Sequence, residues 1–293
     1  MTPSTLMMPP VSSSPGRLEG CPAPAKLNLF LHVTGRRDDG YHLLQTVFRL
    51  LDWGDTLDFS VREDGEIRRT NAVVGVPEET DLCVCAGRAL QQATGCPLGA
   101  DITVHKRLPL GGGLGGGSSD AATTLMALDR LWNTRLGSAR LREIGIGLGA
   151  DVPFFLFGRD AFAEGVGEIL QPVTLPPACY IVLAPGISVP TAQVFASPNL
   201  TRNTPPIKML GFTFDRTRND LQPVACELFP EVADALSWLG QFAPARMTGS
   251  GACVFAPAES SEHAARVVGQ CPVRWQAWQA ASLAQHPMHG LEA

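Results

Sequence analysis

The densest chemical content lies in Leu108-Pro-Leu-Gly-Gly-Gly-Leu-Gly-Gly-Gly-Ser-Ser-Asp-Ala-Ala122, where six of the seven positions Gly111 to Gly117 are glycine. Glycines take positive φ and let a backbone approach a ligand more closely than a Cβ permits. The tract runs into Ala121, Leu125, Leu128 and Trp132, spaced 4, 3 and 4 apart, which is one face of a helix. Ser118 and Ser119 stand where N-caps belong. A glycine loop feeding a helix start offers unpaired N–H groups and the positive end of the helix dipole, a combination suited to phosphate. The two hydroxyls add donors and contacts for Mg²⁺. Pro109, Leu110, Gly111, Gly112, Gly113, Leu114, Gly115, Gly116, Gly117, Ser118 and Ser119 are therefore the candidate nucleotide-binding residues. A flexible linker is the bland alternative, but linkers rarely run into a capped amphipathic helix.

Several phosphate loops can be set aside. A Walker A reading aligns Gly112 with Gly117 and then demands lysine where Ser118 stands. Gly111-x-Gly113-x-x-Gly116 formally matches the dinucleotide fingerprint, but residues 130–142 hold no Asp or Glu to bind a ribose about 20 residues on. The HRD and DFG elements of protein kinases are absent.

Phosphoryl transfer needs a base near the attacking hydroxyl and a cation near the transferring group. Asp151, between a glycine-rich turn and the apolar Val-Pro-Phe-Phe segment, is the candidate base, with turn or helix capping as its ordinary alternative. Lys26, opening an apolar strand, is the candidate cation, or else a solvated strand end. Gly249-Ser-Gly251 either closes over phosphates or substrate or is a plain turn. Asp120 either orders Mg²⁺ through water or caps the helix, and no metal ligand is assigned.

The elements that must position these groups alternate between strand and helix. Residues 26–32, 56–61, 102–106 and 180–184 read as strands, and 43–51 as a further apolar run. Residues 83–93 and 232–242 read as helices, while 154–157 reads as a buried strand or short apolar loop. Residues 1–20, rich in Pro, Ser and Gly, read as a flexible tail. A change of texture near residue 160 divides the rest into 21–162 and 163–293, an α+β chain in two lobes.

Composition narrows the classes further. With 293 residues, 45% hydrophobic and 17% charged, the chain can bury a large core and is not disordered. A net charge of −5 with no basic run argues against nucleic acid. No run reaches the roughly 18 apolar residues of a membrane span, and the start does not read as a secretory signal. Eight scattered cysteines without a CxxC pair suggest free thiols in a reducing cytoplasm.

Pro109-x-x-x-Gly113 through Ala122 resembles the nucleotide loop of the GHMP small-molecule kinases. Pro24-Ala-Lys-Leu-Asn-Leu-Phe-Leu31, Asp39-Gly-Tyr-His-x-Leu-Gln-Thr46, Gly149-Ala-Asp-Val-Pro153 and Ala163-Glu-Gly-Val-Gly-Glu168 resemble the branch whose acceptor is a cytidine-diphosphate sugar alcohol. Arg202-Asn-Thr-Pro205 and Thr248-Gly-Ser-Gly-Ala-Cys-Val-Phe255 extend the likeness over residues 22–257.

The resemblance implies an N-terminal nucleotide-binding lobe, a ferredoxin-like C-terminal lobe and a cleft site using ATP and Mg²⁺. It implies small-molecule partners and a monomer or weak homodimer. It places Lys26 beside Asp151, where the ammonium would stabilise charge on the reacting oxygens. It assigns Tyr41 and Phe195 to a sandwich around cytosine, His42 and Asn28 to polar contacts there and near Lys26, and Thr191 to the sugar-alcohol end. Without the resemblance, Phe195 reads as core packing and His42 as a turn histidine. Asp81-Leu82 and Lys106 map to the adenine side, although a carboxylate at 81 cannot donate as the family's amide would. The rival readings are a homoserine- or mevalonate-type kinase and a non-catalytic nucleotide-binding module.

Overall fold

Two long antiparallel strands, β2 (Arg17–Arg36) and β3 (His42–Arg62), form the spine of the protein. The computed structural model describes residues 11–209 and 212–290. From Cys21 to Val33 every residue of β2 is buried, on both faces of the strand. The reason is its neighbours. Leu18, Cys21 and Ala23 join the core of the first lobe, Ala25, Leu27 and Leu29 a central cluster, and Leu31 and Val33 the core of the second lobe. The strand read over residues 26–32 is thus covered on both sides, and its polar Lys26, Asn28 and His32 are buried along with the leucines between them. Register shifts fall between Pro24 and Lys26 and between Asn28 and Leu31. Such bulges bend a strand and re-aim its side chains, and these two bracket the candidate cation.

The first sheet adds β1 (Ser12–Ser14), β4 (Ile67–Arg69) and β5 (Gly99–His105) in the order β1-β2-β3-β5-β4. Helices α1 (Leu82–Thr94), α2 (Gly116–Leu131), α3 (Gly137–Ile146) and α4 (Val152–Phe157) accompany it. Ala121, Leu125 and Leu128 of α2 are fully buried, as their spacing predicts. Strands β6 (Ala161–Glu164) and β7 (Ile169–Pro172) extend the same sheet, β6 pairing with β3.

The second lobe contains β8 (Cys179–Ala184), α5 (Thr191–Ala196), α6 (Gln222–Leu228) and α7 (Pro230–Leu239). It continues with β9 (Arg246–Met247), β10 (Val254–Ala258), α8 (Ser261–Val268) and β11 (Gln276–Ala281). Its antiparallel order β11-β8-β10-β9 is the split βαβ arrangement of the ferredoxin-like fold.

Three sequence expectations need correction. The segment 154–157 is helical: Pro153 stands in the first turn of α4 and Gly158 ends it at φ 74°, while Phe154 and Phe155 are buried completely. Residues 12–20 are not a loose tail, because β1 turns at Gly16 into β2 and Leu18 is buried against the first-lobe core; residues 1–10 of that segment lie outside the described residues. The division at 162/163 also shifts, since β6 and β7 belong to the first sheet.

The chain end returns to the first lobe as well. The His286 N–H donates to the Gly158 carbonyl at 2.7 Å, and Met288 joins the first core. His286 is fully buried, and burial, reinforced by His289, pushes its pKa down to about 3. The unfolded chain therefore binds a proton that the folded protein excludes. This group's contribution to stability is complete above the ordinary histidine value of 6.5 and is lost as pH falls toward about 3. A His286→Gln protein is expected to show a shallower acid loss, by up to about 1.4 kcal/mol per pH unit. Urea unfolding at pH 7, 6 and 5 checks it; parallel curves for the two proteins would refute the assignment.

Candidate active site between the lobes

The glycine tract folds as a loop whose turns require its composition. Gly113 and Gly115 both have φ of 75°. A Cβ at Gly113 would lie 2.3 Å from the Thr248 carbonyl oxygen, and one at Gly115 would lie 2.9 Å from the Phe155 ring. Gly115, not a serine, occupies the N-cap of α2. Ser119 is buried and donates instead to the Pro24 carbonyl at 2.7 Å, fastening the helix to β2. Ser118 remains on the wall of a cleft of about 430 Å³, as does the tract from Pro109 to Gly117.

The second glycine turn backs the first. Thr248 donates its hydroxyl to the Gly113 carbonyl at 3.4 Å, and the Cys253 N–H donates to the Gly112 carbonyl at 3.1 Å. Gly249, Ser250 and Gly251 line the same cleft from the second lobe.

Lys26 and Asp151 meet at the cleft floor. The lysine side chain is only 4% exposed and the aspartate 29%, with Nζ 3.3 Å from Asp151 Oδ2. Nζ also donates to Asn28 Oδ1 at 2.5 Å and lies 5.4 Å from the centre of the Phe48 ring. Asn28 is itself braced: its N–H donates to Thr248 Oγ1 and its Nδ2 to Thr46 Oγ1, both at 2.9 Å. The Lys26 N–H donates to the Leu114 carbonyl at 3.0 Å, tying the cation to the glycine loop. Asp151 precedes α4 but its carboxylate makes no capping bond, so one oxygen faces lysine and the group borders the cleft. Thr46 and Thr248 stood in the sequence only as ends of family-like motifs with no role attached, and Phe48 did not stand out, because each acts through a partner distant in the chain.

Lys106 reaches Asp55 at 2.5 Å and Asp120 at 2.9 Å. Burial opposes its charge, yet the two carboxylates hold its pKa above the ordinary lysine value. Burial pushes Asp120 up; Lys106 pulls it back and Asp55 adds to the rise. Asp55 also accepts the N–H groups of Arg107 and Leu108, at 2.5 and 2.8 Å. Nothing local in the sequence announces Asp55, which lies 51 residues from Lys106. Lys106, Asp81 and Leu82 border a smaller cavity of about 160 Å³ with Val104, Leu110 and Gly117. Asp81 caps α1 by accepting the Cys83 N–H at 2.7 Å and pairs with Arg69, so its oxygens are already engaged.

Phe195 and Thr191, both on α5, line the large cleft, and Thr191 hydrogen-bonds Ser250 at 2.7 Å. His42 stacks on Phe195 with ring centres 4.8 Å apart. Tyr41 is 65% exposed in the preceding turn and is not brought onto the cleft wall. Among the described residues no three His, Cys, Asp or Glu side chains form a metal cluster, and no helix is long and apolar enough to cross a membrane.

A glycine loop at a helix start, with a buried Lys–Asp pair at its foot in the cleft between two lobes, is the arrangement of the GHMP small-molecule kinases. Models of the GHMP kinases N-terminal domain and of the GHMP kinases C-terminal region match residues 81–159 and 208–273. A 4-diphosphocytidyl-2-C-methyl-D-erythritol kinase of Azoarcus sp. (strain BH72) is 67% identical, covering 94% of this chain and 98% of that protein. One from Ralstonia pickettii (strain 12J) is 57% identical over 95% and 98%. A crystal structure of 4-(cytidine 5'-diphospho)-2C-methyl-D-erythritol kinase aligns with a TM-score of 0.77 at 35% identity, covering 89% of this chain and 98% of that one. Homoserine kinase from Cytophaga hutchinsonii shares the fold, with a TM-score of 0.71 at 16% identity over 94% and 97%. The chain belongs to the GHMP kinases, in the 4-diphosphocytidyl-2-C-methyl-D-erythritol kinase family.

If the glycine loop binds nucleotide through its backbone, Gly113→Ala meets both a left-handed φ and the Thr248 carbonyl. The KM for ATP is expected to rise about tenfold or more, a loss of about 1.4 kcal/mol or more of binding. Steady-state ADP release measures it, and an unchanged KM would exclude this loop as the phosphate cradle.

Proposed function

We propose that the protein transfers the γ-phosphoryl group of ATP to the C2 hydroxyl of 4-diphosphocytidyl-2-C-methyl-D-erythritol, releasing ADP. The observation that carries the reading is the buried Lys26–Asp151 pair at the foot of the glycine loop. Asp151 accepts the hydroxyl proton as the oxygen attacks the γ-phosphorus and the bond to the β–γ bridging oxygen breaks. Lys26, held between Asn28 and Asp151, stabilises the charge spread over the reacting oxygens. Backbone N–H groups of the glycine loop receive the phosphates, and the smaller cavity beside Leu82 and Leu110 receives adenine.

Mg²⁺ is held in kinase sites by one or two protein oxygens together with the phosphates. The residues here fit that pattern. Ser118, in the first turn of α2 on the cleft wall, would give the ion one protein oxygen, and the bound ion would neutralise charge on the β- and γ-phosphates; Asp120, on another face of the helix, is engaged by Lys106.

On the acceptor side, Phe195 supplies an aromatic face and Thr191 a hydroxyl beside the second glycine turn. Tyr41, exposed in the turn just before His42, is the candidate for the second aromatic face.

Asp151→Asn is expected to lower kcat by about 10² to 10⁴-fold while leaving the binding of both substrates within about twofold. Calorimetric titration and ADP release with the cytidine substrate, homoserine and mevalonate test it together. Near-wild-type turnover by the variant would remove Asp151 as base, and turnover of only the small alcohols would overturn the substrate. Tyr41→Ala is expected to raise the KM for the cytidine substrate by about tenfold, consistent with a lost stacking contact of ~1–3 kcal/mol, with the KM for ATP unchanged. Equal rises in both would argue against a base contact at Tyr41.

A further inference from the structure

The cytidine reading leaves unexplained how the site would tell cytosine from uracil, which stacks equally well. The two bases differ along one edge. Cytosine offers a bare N3 acceptor beside its amino group, whereas uracil carries N3–H beside a carbonyl. A protein donor aimed at N3 pairs with the first and meets a second donor in the other. A histidine can play either part, depending on which ring nitrogen holds the proton.

Arg202 Nε donates to His42 Nε2 at 3.1 Å, across 160 residues of sequence. A guanidinium can only donate, so Nε2 must supply the lone pair and the proton of the neutral ring sits on Nδ1. The arginine is not free to swing away. Its Nη2 donates to the carbonyls of Phe195 and Ser197, both at 2.8 Å, and its Nη1 to that of Leu200 at 3.2 Å. The same guanidinium therefore fixes the end of α5 that carries Phe195 and the edge of the ring stacked on it at 4.8 Å. Among the described residues Nδ1 makes no hydrogen bond and is not sealed from solvent. Burial, then Arg202 and Arg36, lowers the His42 pKa, in keeping with a neutral ring.

We propose that Arg202 is a positioning residue for base recognition: it holds His42 as the Nδ1–H tautomer, so that the site accepts cytosine and turns uracil away. The inference rests on the cytidine reading above and goes beyond it by naming what sets the choice of base. Without the arginine, His42 can take the Nε2–H form, and Nδ1 becomes an acceptor that suits the N3–H of uracil.

The test compares wild type, Arg202→Met and Arg202→Lys with the cytidine substrate and its uridine analogue at saturating ATP. Wild type is expected to favour cytidine strongly in kcat/KM. Arg202→Met should lose roughly tenfold or more of that preference, through a higher KM for the cytidine substrate and a lower one for the analogue. The KM for ATP should stay unchanged, and Arg202→Lys, which keeps a donor, should recover part of the preference. A merely structural role would weaken both substrates alike and leave their ratio untouched, and that result overturns the proposal. ¹⁵N chemical shifts of His42 in the wild-type protein give a second reading that needs no variant. A protonated Nδ1 and bare Nε2 support the proposal, and a protonated Nε2 overturns it. If wild type leaves the cytidine substrate untouched while phosphorylating another alcohol, the cytidine reading itself fails and this inference with it.

Discussion

A lysine ammonium almost sealed from water is the constraint around which the rest of the protein is arranged. At 4% exposure Lys26 requires compensation from neighbours, because a buried charge without partners is expensive. Its compensation comes from three directions. Asp151 arrives ahead of α4, Asn28 from two positions along the same strand, and the Phe48 ring from the facing strand. Asn28 in turn depends on Thr248, which belongs to the second lobe, so the cation is held correctly only when the lobes are docked. Arg246 secures that docking. It is buried, burial lowers its pKa to about 10, and it donates to carbonyls of Leu29 on β2 and of Phe214 and Thr217 beyond the cleft.

The second consequence concerns charge. A chain of net charge −5 is poorly suited to attract two polyanions through a cationic surface. The carboxylates nearest the phosphate end are partly neutralised from within: Asp55 and Asp120 share Lys106, and Asp81 is paired with Arg69. In the proposed function, phosphate recognition falls to the backbone of the glycine loop and the start of α2, where oriented N–H groups would serve without added cations. Two of the chain's three lysines lie at the cleft, one paired with Asp151 and the other with Asp55 and Asp120.

Features set by local chemistry were legible in the sequence. The glycine loop, α2, the ferredoxin-like second lobe and the Lys26 and Asp151 positions all carry short-range signals or family motifs. What escaped is long-range or depends on context. The Phe154–Phe157 run is apolar on every side, so periodicity could not separate helix from strand; Pro153 and Gly158 were the available signals. The strand read over residues 26–32 proves longer, since β2 starts at Arg17 and carries Pro22 and Pro24 past register shifts on either side. Ser119 matched a cap by type, but the left-handed Gly115 ended the loop sooner and freed the hydroxyl for Pro24. Asp55 carried no signal at all, and Thr248 and Arg202 only that of opening family-like motifs; their contacts are with partners 51, 220 and 160 residues away.

In the proposed function Lys26 and Asp151 act as one unit on the transferring phosphoryl group. A double-mutant cycle on kcat, using Lys26→Met, Asp151→Asn and the combined protein, tests it most directly. The account predicts strong non-additivity, with the combined protein no slower than the slower single variant. Losses that simply multiply would mean that the two groups work independently, and would contradict it.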